Sequence, residues 1–430
     1  MHRIGNLWQQ LISQKNFDEA WRNLRRHKSN YDSVKRMESK LPIVQAQIRA
    51  ELESGTYKHG PYQQRTIFEP KERVIYIAKL KDRYVHHILL NVIVPYLERR
   101  MDDYSLACRK ERGLHIGSKL AMQFIRSNDY YLKIDVRKFY PSINHAVLKQ
   151  ILRRIFKDEK VLWLLDEIIN SFPGDTNCPI GNYTSQWFGN IYLTELDKFV
   201  RHRLKEHCYI RYCDDAVIFN NDKKRLAQDL EQIRLFMADT LKMQLSKAVI
   251  NKYTVGLDYL GYVHRRNFVQ LRKRTKKRVV KALSKLAKNL TQPQPDLQKI
   301  NGTIGSYDGW MQHACSETFK RKYHFNYFVD WLKMKQFKDL KKKDDKYKSN
   351  YAKMPVSAVL GKTIVVQDYE LRPSKICAGS KALYLYFTLD GVQKMIVTGS
   401  QILIEQMNSL EEKCEFECKI MQSGQGYRMQ

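Results

Sequence analysis

An α+β fold ending in a small β-rich domain is expected for this 430-residue chain on three grounds. Strand-like and helix-like apolar periods alternate from about residue 61 to 270, and a very basic helical run follows. Residues 351–430 then turn neutral and strand-rich, with nine Lys/Arg against eight Asp/Glu, a net +1 that leaves +30 of the chain's +31 before Tyr351.

Taken in order, residues 1–60 form a basic helical region in which Trp8, Leu11, Ile12, Phe17 and Trp21 recur at turn spacing. Two short strands flank Pro70 between residues 64 and 78, and Lys81 to Met101 has the spacing of a long amphipathic helix. Tyr130 to Asp135 alternates as a strand that Pro141 prevents from continuing. Helical spacing covers His145 to Phe156, Lys160 to Ser171 and Thr184 to Leu204, the last preceded by the loop Cys178-Pro-Ile-Gly-Asn182. Tyr209 to Phe219 reads as a hairpin with Asp214 and Asp215 at its turn, followed by a helix over Lys224 to Leu241 and a strand pair around Val249 and Tyr259 to Tyr262. Residues 271–335 are helical, 336–350 a Lys-rich linker, and 351–430 a domain with strands over Thr363 to Tyr369, Ala382 to Leu389 and Gln393 to Thr398 and a helix near Ser400 to Asn408.

A charge of +31 attracts polyanions, which makes nucleic acid the leading partner and leaves an anionic membrane surface as the competing one. His87 to Leu97, the only long apolar stretch, is too short to span a bilayer, so no membrane role is expected. The first residues lack the apolar segment of a secretory signal, which points to the cytoplasm. The eight cysteines show no paired CxxC spacing, and Cys414 and Cys418 alternate onto one face of a strand; reduced thiols are expected.

Nucleotidyl transfer on two Mg²⁺ ions requires carboxylates that converge from separate strands. Asp135 ends one strand and Asp214-Asp215 turn another, with room between them for helices that return the chain to a neighbouring strand. Asp102-Asp103 and Asp344-Asp345 are adjacent acids too, but they read as solvated charges, whereas Arg211 to Phe219 surrounds its acids with apolar residues. Two like charges are buried only at high cost unless a cation compensates them.

Tyr212-Cys-Asp-Asp215 resembles the YxDD box of reverse transcriptases, Asp135 to Ile143 is similar to their first palm box, and Tyr259-Leu-Gly-Tyr262 resembles their primer-grip turn. The boxes stand in the family's order over about residues 60 to 335. The resemblance implies a right-hand polymerase with fingers and palm at 61–270 and a helical thumb at 271–335. It implies Asp135, Asp214 and Asp215 as catalytic metal ligands with Val136 beside them, holding two Mg²⁺ or, in substitution, Mn²⁺. Lys71, Arg73, Tyr140 (as steric gate), Ile180, Gly181 and Lys247 would meet the dNTP, and Leu260, Gly261 and Tyr262 the primer. The run Arg272, Lys273, Arg274, Lys276 and Lys277 would then follow a phosphate backbone. Gly305 to Trp310, followed by His313, is similar to a turn between thumb helices.

Ile180-Gly181 with Ser185-Gln186 resembles the reverse transcriptases of diversity-generating retroelements. That implies cDNA synthesis from a structured template RNA, frequent errors opposite adenines, an RNA/cDNA duplex as product, and a small basic helical accessory protein as partner. An aliphatic Ile180 removes hydrogen-bonding groups near the nascent pair, leaving discrimination to shape; alternatively Ile180 packs under the helix near Thr184. An antiviral defence or group II intron-type enzyme shares the palm boxes, and an idle RNA-binding factor would have lost the acids.

Overall fold

A computed structural model describes residues 2–68, 72–290, 296–329, 351–373, 381–390, 392–408, 416–423 and 426–429. The chain divides into two units, Met1–Lys285 with Gly305–Phe319, and Leu286–Ile304 with Lys320–Gln430.

Four N-terminal helices, Trp8–Ile12, Gln14–Arg25, Asp32–Glu38 and Leu41–Glu53, open the first unit. Ser13 caps the second by accepting from the Asn16 amide, and Phe17, Ala20, Trp21 and Leu24 bury its apolar stripe. The stripe packs on the helix Leu80–Glu98, where Asn16 donates to the Ile88 carbonyl at 2.9 Å. That helix is not amphipathic as its sequence led us to expect. Tyr84, Val85, Ile88, Leu89, Leu90, Val92 and Ile93 bury most of its circumference, because other elements pack around it. In chain order the antiparallel hairpin of β1, Gln63–Ile67, and β2, Arg73–Ile77, falls between Leu41–Glu53 and Leu80–Glu98.

The central sheet contains β3, Tyr130–Val136, β4, Tyr209–Tyr212, β5, Asp215–Asn220, and β6, Leu245–Lys252, in the antiparallel order β4-β5-β3-β6. Period-two alternation buries Leu132, Ile134 and Ile218 with the main core. Tyr131, Val217 and Phe219 bury with Phe124 of the helix Leu114–Ser127. The helix Lys223–Asp239, capped by Asp222, packs across β3, β5 and β6. The strand pair expected around Val249 and Tyr259 separates in the structure: Val249 joins the central sheet through Lys133, whereas β7, Leu257–Tyr259, β8, Tyr262–His264, and β9, Val269–Leu271, form a sheet of their own.

Two expected helical regions are more broken than their spacing suggested. Thr184 to Leu204 is an α-helix over Tyr183–Lys198 that widens into a π-turn at Phe199–Arg203, and the basic region, whose expected break at Thr291 to Pro295 lies outside the described residues between Lys273–Leu290 and Leu297–Met311, is interrupted again before Glu317–Lys322. Gly305 to Trp310 lies inside the second of these and is helix rather than the turn its resemblance suggested. Its glycines have open space where a Cβ would stand, so they do not force a bend.

In the second unit a six-stranded sheet takes in Thr363–Pro373, Lys381–Leu389, Val392–Thr398, Phe416–Ser423 and Gly426–Met429, with Ala352–Lys353 at one edge. Leu383, Leu385, Phe387 and Ile396 cover the helix Gln401–Asn408 through Leu403 and Met407. Cys418 is buried on its strand, while Cys414, the 336–350 linker and Asp344-Asp345 lie outside the described residues. Among the described residues no helix is long and apolar enough to cross a membrane.

Beneath the β4–β5 turn lies a buried ion pair. Arg211 is 1% exposed and Asp197 not at all; Nε and Nη2 of Arg211 each donate to an Asp197 carboxylate oxygen at 2.6 Å. Removing one partner leaves the other charge uncompensated in the core. Asp197→Ala is expected to cost about 3–5 kcal/mol, read as a lower urea midpoint, and pairing it with Arg211→Met should recover part of that loss.

Candidate active site

The acids converge because of strand register. Asp135 stands directly opposite Asp215 on β5 and opposite Lys247 on β6, so one row across the sheet carries two carboxylates and an ammonium. Tyr212 pairs with Asp215, leaving Cys213 and Asp214 as a two-residue turn in which Cys213 takes a left-handed φ of 54°. A non-glycine residue resists that conformation, and here Nη1 of Arg211 holds the Cys213 carbonyl at 2.9 Å. The buried pair with Asp197 thus fixes the turn that presents Asp214.

Burial sets the electrostatics of the site. It pushes the Asp215 carboxyl up to about 6, opposed by Lys133, whose ammonium lies 3.0 Å away, and reinforced by Asp135 and Asp214. Burial likewise raises Asp214, with Asp135 adding to the rise and Arg73 and Arg211 opposing it. The Asp215 Oδ1 is buried without a partner, and Asp135 accepts from the Ser246 hydroxyl at 2.6 Å. This donor set suits hard divalent cations, which would relieve the repulsion and take up the orphaned oxygen. Among the described residues no three His, Cys, Asp or Glu side chains lie close enough to enclose an ion alone. Mg²⁺ ordinarily completes its shell with water and nucleotide phosphates, so an incomplete protein cage is compatible with a polymerase site. Asp102 and Asp103, by contrast, pair with Arg201 and Arg112.

Around the acids, Tyr140 lies against Gly189, where a Cβ would come within 3.2 Å of its ring. Burial raises its hydroxyl above the ordinary tyrosine range, with neighbouring cysteines and Asp214 adding to the effect. Arg73 is exposed at the start of β2, and Lys71 is outside the described residues. The Ile180 carbonyl accepts from the Tyr76 amide at 2.9 Å, tying its loop to β2, and Ile180 itself is half-buried. Gly181 has a φ of +113°, and a Cβ there would stand 3.3 Å from the Tyr76 carbonyl oxygen. Ser185 is buried and donates to the Pro179 carbonyl at 2.7 Å, closing the loop onto its helix, whereas Gln186 is exposed.

Lys247 shares a cavity of about 480 Å³ with Asp135, Asp215, Lys133, Asp258 and Arg272. Val136 is buried, beyond a register shift in the β3–β6 pairing. Leu260 and Gly261 form the two-residue turn between β7 and β8, both with positive φ, and Tyr262 opens β8. The basic run starts where that turn is anchored: the Arg272 amide donates to the Gly261 carbonyl at 3.0 Å and its guanidinium pairs with Asp258. Lys273, Arg274 and Lys277 are exposed on the helix that follows, and Lys276 is half-buried.

The sequence reading missed Lys133, Ser246 and Asp258. Lys133 carried a signal, since it lies two residues before Asp135 and so shares its face of the strand. Besides its bridge to Asp215 it donates to the Asp258 carbonyl at 2.7 Å and stands 5.5 Å from the Tyr259 ring centroid. The Tyr259 hydroxyl in turn donates to the Asp215 carbonyl at 3.2 Å.

An antiparallel sheet that gathers three aspartates at one end, flanked by a basic hairpin and a helical basic segment, is the palm of a right-hand polymerase. Residues 58–264 match the family described as Reverse transcriptase (RNA-dependent DNA polymerase), and the chain carries a reverse transcriptase domain of that superfamily. Residues 350–430 match a family described as Domain of unknown function (DUF8468). Protein YkfC of Escherichia coli (strain K12) is 23% identical over 289 residues, covering 55% of this chain and 75% of that protein. Group II intron-encoded protein LtrA of Lactococcus lactis subsp. cremoris is 23% identical over 307 residues, 53% of this chain and 51% of that one. Retron Ec73 reverse transcriptase of Escherichia coli is 28% identical over 164 residues, 35% of this chain and 50% of that one. The chain thus matches about half the length of the latter two.

Gly181 tests the site geometry. Gly181→Ala must strain both φ and the contact with Tyr76, so the KM for dNTP should rise about tenfold in steady-state primer extension, with the KM for primer–template unchanged.

Proposed function

We propose that this chain is an RNA-directed DNA polymerase that copies a retroelement's structured template RNA into cDNA with errors concentrated at template adenines. The observation that carries the polymerase reading is the register placing Asp135 opposite Asp215 with Asp214 in the adjoining turn. Two Mg²⁺ ions, replaceable by Mn²⁺, would be held by Asp135, Asp214 and Asp215 beside the Val136 backbone, and would supply charge stabilisation of the attacking and leaving oxygens. The protein's own part is positioning. Arg73 and Lys71 grip the triphosphate, Arg being suited to bidentate phosphate contacts. The Tyr140 ring excludes a 2′-hydroxyl, Gly181 lets the backbone approach the nucleotide, and Lys247 is placed to protonate departing pyrophosphate. Leu260, Gly261 and Tyr262 hold the primer, and the helix from Arg272 through Lys277 follows the duplex backbone.

The mutagenic subtype is supported by Ile180. It brings a side chain without hydrogen-bonding groups to the nucleotide loop, so base choice rests on shape. The accessory protein of such a system would be small, basic and helical, and the setting the bacterial or phage-infected cytoplasm. Likeness to an intron-encoded protein and a retron enzyme supports a second reading, an intron-type or defence reverse transcriptase; a neighbouring pair of template and variable repeats would favour the first.

One experiment addresses both levels. Purified protein given a defined RNA, primer and dNTPs should yield cDNA with substitutions enriched at adenines, and Asp214→Ala/Asp215→Ala should yield none. Ile180→Gln should lower the adenine errors by about tenfold. An unchanged error spectrum would remove the Ile180 account, and no cDNA from the wild type would remove the polymerase reading.

A further inference from the structure

The primer-grip turn is held from two sides, and in each contact a glycine makes room for the other partner. On one side Leu260 enters the space left by Gly117 in the helix Leu114–Ser127: a Cβ on that glycine would come within 2.5 Å of the Leu260 Cδ1. On the other, Gly261 lies under Trp310. A Cβ there would stand 2.4 Å from Cζ3 and 2.7 Å from Cη2 of the indole, closer than non-bonded carbons approach. The turn is therefore in van der Waals contact with the edge of the Trp310 ring.

Further contacts lock this arrangement. The Tyr262 hydroxyl donates to the Trp310 carbonyl at 3.0 Å, and the two rings lie 5.3 Å apart at 35°. His115, on the same helix as Gly117, lies edge-on to Trp310 at 6.3 Å and stacks on His313 at 3.8 Å, so Trp310 is itself backed. Gly261 also gives its carbonyl to the Arg272 amide and, at 3.4 Å, to the Thr275 hydroxyl, which ties the turn to the first residues of the basic helix. Trp310 is partly buried, whereas the neighbouring core residue Met311 is 1% exposed. Its position against the turn, more than burial, accounts for an indole here.

We infer that Trp310 is a positioning residue for the primer: by bearing on Gly261 it sets where the Leu260-Gly261-Tyr262 turn stands relative to the row of acids. The inference rests on the polymerase reading above. No contact links Trp310 to Asp135, Asp214 or Asp215, so it acts through the turn. The twist of β7 and β8 favours positive φ at both turn positions, but Leu260 with its Cβ resists that conformation, and the flanking packing helps to hold it. Small displacements of a reacting end are costly to rate and binding alike, which gives such a support its effect.

The test is steady-state and single-encounter primer extension by full-length wild type, Trp310→Ala and Trp310→Phe, with thermal melting alongside. Trp310→Ala is expected to raise the KM for primer–template about tenfold and to shorten products made in one encounter. The KM for dNTP should not change, and Trp310→Phe, which keeps a ring against Gly261, should recover most of the loss. A purely structural tryptophan would lower the melting temperature and the amount of active enzyme without altering the KM for primer–template in the molecules that remain folded. That result, or any in which Trp310→Ala keeps the wild-type KM and product length or Trp310→Phe fails to recover them, overturns the inference. If the wild type itself extends no primer, it is the polymerase reading that fails.

Discussion

The bidentate pair between Arg211 and Asp197 is the constraint on which the candidate site depends. One guanidinium, deep in the fold, joins three pieces of chain: Asp197 of a core helix, Ser105 in the segment before the helix Leu114–Ser127, and the Cys213 carbonyl in the acidic turn. Burial opposes the charge on Arg211, yet Asp197 beside it keeps the group above its usual range and so permanently ionised. Well-packed hydrophobic pairs of similar volume often match or exceed the stability of a buried ion pair. A hydrophobic pair could not donate to the Cys213 carbonyl, so the polar choice is explained by the turn it orients.

Above that anchor the site holds more negative charge than its surroundings readily tolerate. Lys133 offsets part of it at Asp215, and Ser246 satisfies one oxygen of Asp135, but Asp215 keeps a buried oxygen with no partner. Such residual cost is expected where a site is shaped for a ligand rather than for stability alone. Lys133 also touches the Asp258 carbonyl and lies near Tyr259, so the same side chain joins the acid row to the sheet that carries the Leu260-Gly261 turn.

Much of this was legible in the sequence, for particular reasons. Asp135, Asp214 and Asp215 announced themselves because acids at strand ends inside apolar alternation are costly, whereas Pro141, expected to end regular structure, lies inside the short helical turn Phe139–Ser142, and the strand already ends at Val136. The hairpin around Asp214 followed from period-two patterning alone. What was not legible depended on distant partners. Nothing near Arg211 names Asp197 or Ser105, and the all-round burial of Leu80–Glu98 reflects what packs on it rather than its own spacing. The separation of β7–β9 from the central sheet is a matter of register that hydrophobic runs do not encode. Gly305 to Trp310 was expected as a turn from its resemblance to one between thumb helices, but its helical hydrogen bonds outweigh the low propensity of its glycines. The start of the strand Phe416–Ser423 was legible in the alternation of Cys414 to Cys418, whereas Gly426–Met429 went unassigned because it is very short.

The proposed activity requires that the three aspartates brought together by sheet register hold the ions of nucleotidyl transfer. A crystal of the protein with an RNA–DNA primer–template, a non-hydrolysable dNTP and Mn²⁺ tests it most directly, through the anomalous signal of manganese. The account predicts two peaks about 3.5–4 Å apart between Asp135 and the Asp214-Asp215 turn, with the triphosphate among their ligands. Manganese bound elsewhere, or a nucleotide seated with Asp135 turned away from it, would contradict the account.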